Sequence, residues 1–344
     1  MTDLGVIEGF YGQPWPDSTR LEMLEWLSRC GFSRFLFAPK NETYLRSDWR
    51  DALTDEQVVR LRLMQQRASA CEMRLYVGLS PYEAYEQYDT ATRRLLFRKL
   101  DEIGAVGITS LAVLFDDMSG RVDALAARQL EIVSDIRARF PEWSLAVCPT
   151  YYSDDPVLDR VFGQRPVTYL EDFAAGLEAD IEVFWTGPAV CSPQIEPEDL
   201  ATVAGLFGDR LALWDNYPVN DSALRSTHLY IQPIDRDGLA LESFLSSHWC
   251  NAMNQGALSL PALISLALSY RDSVPAVSDV YREAGITPAL LDNLTELNER
   301  TFSQLPSARR SALEYLAAEP GLAATELADW IAGKYRFDPD CLTG

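Results

Sequence analysis

The sequence from residue 110 to residue 117 reads Ser110-Leu-Ala-Val-Leu-Phe-Asp-Asp117, an apolar run that ends in two adjacent carboxylates. Similar apolar runs recur along the chain, and their ends lie about 30 to 40 residues apart, the length of one strand–helix unit. Continuous apolarity is typical of parallel strands buried on both faces. The other runs occupy residues 5–9, 34–39, 74–80, 144–149, 181–186, 211–216 and 248–251, so eight strands are predicted.

Segments with helical punctuation lie between these runs. A helix over residues 54–70 is predicted to begin with a capping pair, Thr54 and Gln57, and a helix over residues 18–30 to end before Gly31. Further helices are predicted over residues 92–103, 123–140 and 198–206. A doubly wound sheet would usually carry a G-x-G-x-x-G turn after its first strand, and none occurs here. The alternation therefore predicts an α/β fold, a (β/α)₈ TIM-type barrel.

The last barrel helix is predicted over residues 259–270, with Ser259 as its N-cap and Pro261 in its first turn. Beyond it the pattern changes to helix-like segments separated by Gly and Pro. These segments cover residues 288–302, 307–318 and 325–335. We therefore predict a catalytic barrel over residues 1–272 and a small all-helical appendage over residues 273–344.

The helical appendage carries apolar residues at helical spacing, among them Leu290, Leu291 and Leu294. Such a stripe is expected to be covered. It predicts packing on the barrel or association in a homodimer.

The composition is that of an ordinary globular protein, with 47% hydrophobic and 24% charged residues. The longest apolar stretches, such as residues 260–268, fall far short of the roughly 20 residues that a membrane span needs, so no membrane association is expected. The 30 Lys and Arg residues against 51 Asp and Glu give a net charge of −21. This balance disfavours a nucleic-acid partner, because phosphate binding requires a cationic face.

The first residues lack the basic region and apolar stretch of a secretory leader. The six cysteines show no Cys-x-x-Cys spacing, which argues against a zinc knuckle and a disulfide framework. We therefore expect a soluble, cytoplasmic protein with reduced thiols and without a metal or cofactor.

Polar and aromatic side chains follow the predicted strands, where a barrel carries its function. The strand ends hold Gly9, Phe10, Tyr11, Lys40, Asn41, Ser80, Asp116, Asp117, Tyr151, Tyr152, Trp185, Thr186, Trp214, Asp215, Asn216, Asn220, Asp221 and Asn251. Carboxylates and amides suit the hydroxyl groups of a sugar, and aromatic rings suit its apolar faces. The alternative interpretation is that these residues merely solvate the barrel rim.

The pair Asp116 and Asp117 is the sharpest of these features. A strongly apolar run rarely ends in two charges unless they face solvent or a site. If both carboxylates enter one pocket, their repulsion favours one staying protonated as an acid while the other stays anionic. Two alternatives remain: one Asp begins the next helix as its cap, or both hold a divalent metal, although no His or third carboxylate at ligand spacing supports this.

The sequence lacks the residues that other catalytic mechanisms require. The chain has two histidines, His228 and His248, and no G-x-S-x-G, so a Ser-His-Asp hydrolase is disfavoured and each His is expected to be structural. Cys148 follows an apolar run and precedes Pro149, which favours a packed thiol over a nucleophile.

The combined motifs resemble glycoside hydrolase family 84, the O-GlcNAcases and β-N-acetylglucosaminidases. The resemblance covers roughly residues 4–270, in order. It rests on Gly5-Val-Ile-Glu-Gly-Phe-Tyr-Gly-Gln-Pro-Trp15, Ala38-Pro-Lys40, Phe115-Asp-Asp117, Cys148-Pro-Thr150, Trp185-Thr-Gly187, Trp214-Asp-Asn216 and Asn220-Asp221. The family's (β/α)₈ barrel agrees with the strand–helix alternation.

The resemblance implies a retaining exo-hydrolysis of terminal β-linked GlcNAc in which the substrate's acetamido oxygen attacks the anomeric carbon and forms an oxazoline. It implies that Asp116 orients the acetamide and that Asp117 is the acid and base. The implied substrate-binding residues are Gly9, Lys40, Cys148, Tyr152, Thr186, Trp214, Asn216, Asp221 and Asn251. Within this set, Asp221 is expected on O4 and O6 of the sugar, and Cys148 beneath the acetyl pocket.

Two other functions stay open. One is a catalytically silent GlcNAc-binding barrel, against which the intact carboxylate pair and Tyr152 argue. The other is a metal-dependent hydrolase built on Asp116 and Asp117, which activity in excess EDTA would exclude.

Overall fold

The computed structural model describes residues 2–335, 337 and 341. Its strands are parallel and close into one barrel in chain order, which confirms the predicted (β/α)₈ fold. The strands are β1 (Asp3–Glu8), β2 (Arg34–Phe37), β3 (Arg74–Leu79), β4 (Ser110–Leu114), β5 (Ser144–Cys148), β6 (Glu182–Trp185), β7 (Leu211–Asp215) and β8 (Ser247–Asn251). Every predicted apolar run overlaps one of these strands.

The barrel closes where β1 pairs with β8, with Gly5 opposite Trp249. A side chain at Gly5 would collide with the Trp249 ring, so only glycine fits at this position. Tyr76 and Phe184 present ring edges to Trp249 at centroid distances of 5.3 and 5.7 Å. The interior is therefore packed with aromatic side chains and leaves the ends of the strands as the place for a site.

Helices surround the barrel and continue beyond it. They are α1 (Asp17–Arg29), α2 (Asp55–Ala70), α3 (Thr90–Ala105), α4 (Leu125–Arg139), α5 (Pro156–Phe162), α6 (Tyr169–Gly176), α7 (Pro197–Phe207), α8 (Gly238–Leu241), α9 (Gly256–Ser269), α10 (Val277–Ala284), α11 (Pro288–Leu294), α12 (Ser307–Leu316) and α13 (Leu322–Ile331). Among the described residues, no helix is both long and apolar enough to cross a bilayer.

Local capping explains where these helices begin. The predicted capping pair is confirmed, because Thr54 and Gln57 form a reciprocal capping box before α2. Helix α3 begins two residues earlier than predicted, since the Asp89 carboxylate accepts from the Thr92 N–H. Helix α4 begins two residues later than predicted, after Ala124 in the left-handed region at φ 54°.

The predicted start of the last barrel helix is wrong. Helix α9 begins at Gly256, and Ser259 lies inside it, where its hydroxyl donates to the Gln255 carbonyl. Pro261 consequently lies in the helix interior and not in the first turn. The early start has a tertiary cause, because the carboxylate of Glu326 accepts from the backbone N–H groups at 257 and 258.

The C-terminal region is helical in its described part, as predicted, but its helices are shorter. The helix predicted over 288–302 ends at Leu294 and continues only as short 3₁₀ turns, and α10 was not predicted. Leu290 and Leu294 are buried within the chain, so they are not available to a second copy. The domain boundary near residue 272 and the homodimer stay predictions.

Candidate active site

One pocket lies at the carboxyl ends of the strands, with about 540 Å³ of empty space including its open mouth. All the catalytic and substrate-binding residues that the family resemblance implied line it, namely Gly9, Lys40, Asp116, Asp117, Cys148, Tyr152, Thr186, Trp214, Asn216, Asp221 and Asn251. Seven other strand-end candidates are not part of the described lining, namely Phe10, Asn41, Ser80, Tyr151, Trp185, Asp215 and Asn220. Among the described residues, seven of the eight strand ends, all except that of β3, contribute to the lining, because parallel strands of one barrel end on the same face.

Backbone geometry turns Asp116 and Asp117 into this pocket. After β4 ends, the N–H of Phe115 donates to the Cys148 carbonyl at 2.9 Å, and the Thr150 hydroxyl donates to the Phe115 carbonyl at 2.9 Å. Asp117 then adopts a left-handed backbone with φ 57°. That conformation is costly for a residue with a side chain and is typical of functional sites.

Lys40 forms a buried ion pair with Asp116, and its ammonium lies 3.7 Å from Oδ2 of Asp117. Burial alone would lower the pKa of Lys40, but the two carboxylates outweigh burial and raise it. Lys40 is therefore a permanent cation beside the pair. Its positive charge opposes a divalent metal at the same carboxylates.

The second oxygen of Asp116 has a different environment. Oδ1 is buried and accepts no hydrogen bond from any residue that the structure describes. A buried carboxylate oxygen without a donor costs about 1–3 kcal/mol or more, because it has lost its hydration. The pocket therefore presents an acceptor that a ligand N–H or O–H could satisfy.

Asp117 is held by hydroxyl groups. The Tyr11 hydroxyl donates to Oδ2 at 2.7 Å, and the Tyr152 hydroxyl lies 3.3 Å from Oδ1. Arg46 donates to the Tyr11 oxygen at 2.8 Å. Burial and the nearby Asp117 charge raise the pKa of Tyr11 far above its usual value, so Tyr11 stays a phenol and a donor.

A chain of amides fixes the opposite wall. The Gly9 N–H donates to Oδ1 of Asn251 at 3.2 Å, and the Asn251 amide donates to Oδ1 of Asn216 at 3.0 Å. The indole N–H of Trp214 donates to the same Asn216 oxygen at 3.0 Å, and the Asn216 amide donates to the Val190 carbonyl at 2.8 Å. The orientation of both asparagines is thus determined by their partners.

The remaining lining residues are an acidic group and an apolar floor. Asp221 accepts from the Tyr11 N–H at 2.8 Å, and burial raises its pKa. The Trp214 ring packs on the edge of Phe184 at 5.2 Å. Burial raises the pKa of the Cys148 thiol well above its usual value, which fits the predicted packed thiol.

Several lining residues are not among the catalytic and substrate-binding residues that the resemblance implied. They are Tyr11, Val190, Cys191, Val219, Ser222, Arg225 and Cys341. Tyr11 was among the strand-end candidates, because it follows the first strand. Arg225 and Cys341 come from a long loop and from the C-terminal region, and no strand-end pattern marks either of them.

A second cluster of possible ligands lies on β7 and β8. Side-chain atoms of Asp215, His248 and Cys250 lie within 4.8 Å of one another. However, Arg236 donates to both oxygens of Asp215 at 2.8 and 3.0 Å, so this carboxylate is already neutralised by a cation. Burial lowers the pKa of His248, and its ring bridges Asp215 and Tyr270, which fits the predicted structural histidine.

The fold and the pocket are those of a (β/α)₈-barrel enzyme. Comparison with known proteins identifies its family. The β-N-acetylglucosaminidase family matches residues 4–288 of the sequence. The chain therefore belongs to this family, which confirms the resemblance found in the sequence motifs.

Individual relatives agree with this assignment. The protein O-GlcNAcases of Mus musculus and Rattus norvegicus are each 31% identical over 226 residues, which is 63% of this chain. The match spans only 24% of the length of each rodent protein. An O-GlcNAc hydrolase variant from Thermobaculum terrenum shares the fold, with a TM-score of 0.78 and 24% identity over 96% of this chain and 80% of that one.

Proposed function

We propose that this chain is a retaining exo-β-N-acetylglucosaminidase of the O-GlcNAcase type. It would remove terminal β-linked GlcNAc by substrate-assisted catalysis through an oxazoline. Family membership and the similarity to protein O-GlcNAcases support the reaction class. The pocket geometry supports the assignment of individual roles.

The observation that carries the proposal is the buried Oδ1 of Asp116, which accepts no hydrogen bond from the described residues. The acetamide N–H of GlcNAc would supply the missing donor. The other oxygen of Asp116, Oδ2, is paired with Lys40, so the Asp116 carboxylate presents its negative charge to the substrate. A fixed anion at this point would orient the acetamide and stabilise the positive charge that develops on it.

In the first step, the acetamide oxygen forms a bond to the anomeric carbon while the glycosidic bond breaks. Asp117 gives its proton to the departing oxygen, and the sugar is left as an oxazoline whose N–H proton is held by Asp116. In the second step, water attacks the anomeric carbon as the bond from that carbon to the oxazoline oxygen breaks, and Asp117 takes a proton from the water. The acetamide is regenerated with its N–H proton, and GlcNAc is released with retained configuration.

The other lining residues would hold the sugar. Gly9, Lys40, Asn216, Asp221 and Asn251 are assigned to its hydroxyls and acetamide. The acetyl pocket is assigned to the side chains of Tyr152, Thr186 and Trp214, with Cys148 beneath it. This enclosure predicts a requirement for the N-acetyl group, because without it the nucleophile is lost.

Hydrolysis of nitrophenyl β-GlcNAc compared with nitrophenyl β-glucoside tests the proposal. We expect turnover of the first and none of the second. Comparable turnover of both would contradict the assignment. Binding of GlcNAc without any turnover would instead favour the silent binding barrel, and loss of turnover in excess EDTA would favour the metal-dependent hydrolase.

We further propose a cytoplasmic location and a GlcNAc-bearing glycoprotein or glycan as substrate. Profiling GlcNAc-modified peptides against chitobiose and muropeptides would identify the aglycone. Light scattering over a concentration series would test the homodimer, and a concentration-independent monomer would exclude it.

A further inference from the structure

Tyr11 and Arg46 lie beside Asp117 and have no role in the assignments above. The Tyr11 hydroxyl donates to Oδ2 of Asp117 at 2.7 Å, and Arg46 donates to the Tyr11 oxygen at 2.8 Å. Tyr11 is buried at 5% exposure, and its backbone N–H is tied to Asp221 at 2.8 Å. The phenol is thus held at both ends.

The chemistry of arginine fixes the direction of these hydrogen bonds. A guanidinium has only donors, so the Tyr11 oxygen must be the acceptor towards Arg46. The single phenolic hydrogen is then left for Oδ2 of Asp117. Because Oδ2 already receives this hydrogen and lies 3.7 Å from the Lys40 ammonium, a proton on Asp117 is disfavoured at Oδ2. The Tyr152 hydroxyl lies 3.3 Å from Oδ1, longer than a usual O–H···O bond, and a hydroxyl can accept a proton as well as donate one.

We propose that Arg46 and Tyr11 position the general acid by locking Asp117 so that it presents its proton on Oδ1. This inference rests on the proposed function, in which Asp117 protonates the leaving oxygen. Tyr11 contacts the acid directly, and Arg46 acts through Tyr11.

The surroundings of Arg46 support this role. Its guanidinium lies over the Tyr11 ring at 5.3 Å and over the Tyr82 ring at 6.0 Å. In residues 2–335 it forms no ion pair with a carboxylate within 4.0 Å, so its charge is not committed to a salt bridge. Burial opposes the charge of Arg46, but Tyr11 and Asp117 outweigh burial and raise its pKa.

The test compares Tyr11→Phe with a matched control, Tyr217→Phe. The Tyr217 hydroxyl donates to the Gln232 carbonyl at 2.8 Å and does not contact Asp117. We measure kcat/KM on methyl β-GlcNAc, whose leaving group needs a proton, and on dinitrophenyl β-GlcNAc, whose leaving group does not. Tyr11→Phe should lose about 10- to 100-fold on the methyl glycoside and little on the dinitrophenyl glycoside. Tyr217→Phe should leave both unchanged.

Two double variants separate positioning from general damage. In an Asp117→Asn background, Tyr11→Phe should add no loss on the methyl glycoside, because the acid that it positions is already gone. Arg46→Leu should show the same leaving-group dependence with a smaller loss, and adding it to Tyr11→Phe should change nothing. Arg46 is half-buried, so Arg46→Leu still tests the proposal if Tyr11→Phe fails to fold.

The outcomes are distinguishable. A wild-type protein that hydrolyses neither glycoside would overturn the proposed function and this inference with it. An active wild-type protein in which Tyr11→Phe behaves like Tyr217→Phe, or loses equally on both substrates, would overturn this inference alone. Additive losses in the Asp117→Asn background would also overturn it.

Discussion

The pocket and the C-terminal region each hold a buried carboxylate, but with different partners. Asp116 in the pocket is paired with the ammonium of Lys40. Glu326 on α13 accepts hydrogen bonds from backbone N–H groups of α9 and, among the described residues, from no cation, and burial, which those N–H groups partly offset, raises its pKa to about 7. A full cation keeps a buried carboxylate available for chemistry, whereas N–H dipoles alone leave it close to protonation at neutral pH.

The largest effect is expected from Asp117→Asn, which removes the acid of the pocket. On methyl β-GlcNAc the loss in kcat/KM should be about 10²- to 10⁴-fold, the usual contribution of general acid–base catalysis. On dinitrophenyl β-GlcNAc it should be small, since that group departs without a proton. Steady-state kinetics on both glycosides checks this. An equal loss on both would remove Asp117 from the role of acid.

Asp116→Asn should behave differently from its neighbour. It replaces the anion that faces the acetamide with a neutral group of nearly the same shape, and every substrate shares that step. We expect a loss of about 10²- to 10³-fold on both glycosides. A loss confined to the methyl glycoside would exchange the roles of Asp116 and Asp117.

Lys40→Met tests the cation on which the comparison depends. Removing one partner of a buried pair leaves an uncompensated charge, so the free energy of unfolding should fall by about 3–5 kcal/mol. Lys334→Met is the control, because Lys334 forms an exposed pair with Asp329 at 2.5 Å. It should cost about 1 kcal/mol or less in denaturant unfolding. Similar losses in both variants would show that the buried pair contributes no more to the free energy of unfolding than the exposed pair does.

Glu326→Gln tests the other region. The folded-state pKa is raised from 4.5 to about 7, so the folded protein binds more protons than the unfolded chain in this range. Stability should therefore fall as the pH rises from about 4.5 to 7, by about 3 kcal/mol from this group. Glu326→Gln should abolish that dependence and be more stable than wild type at pH 8.

The control for this pH dependence is Glu319→Gln, which changes an exposed glutamate of the same region. It should keep the wild-type slope between pH 4.5 and pH 7 in denaturant unfolding. If Glu326→Gln also keeps that slope, the pH dependence does not come from a raised pKa of Glu326.

The strand order and many of the site residues were predictable from the sequence for a physical reason. Strands buried on both faces must be continuously apolar, so their polar ends stand out, as at Asp116, Asp117 and Trp214. The parallel arrangement then brings all those ends to one face. The individual roles of these residues within the pocket remain proposals.

Helix boundaries in the later part of the chain were less predictable. Ser259 has the residue type of an N-cap, yet α9 begins three residues earlier because Glu326, distant in sequence, satisfies its first N–H groups. Helix α10 was missed, since it is short and buries only Val280 and Ala284. Such decisions depend on contacts between distant segments, which local patterns do not encode.

The sequence by itself determined the barrel, its family and a part of the residues that line the pocket, because buried strands and strand-end chemistry leave local patterns. Only the tertiary structure decided which atoms meet. It placed Tyr11 on Asp117 and Arg46 on Tyr11, left one oxygen of Asp116 without a donor among the described residues, and brought Cys341 to the pocket. These are contacts between residues far apart in the chain, and hydrogen-bond direction and burial exist only once those residues have been brought together.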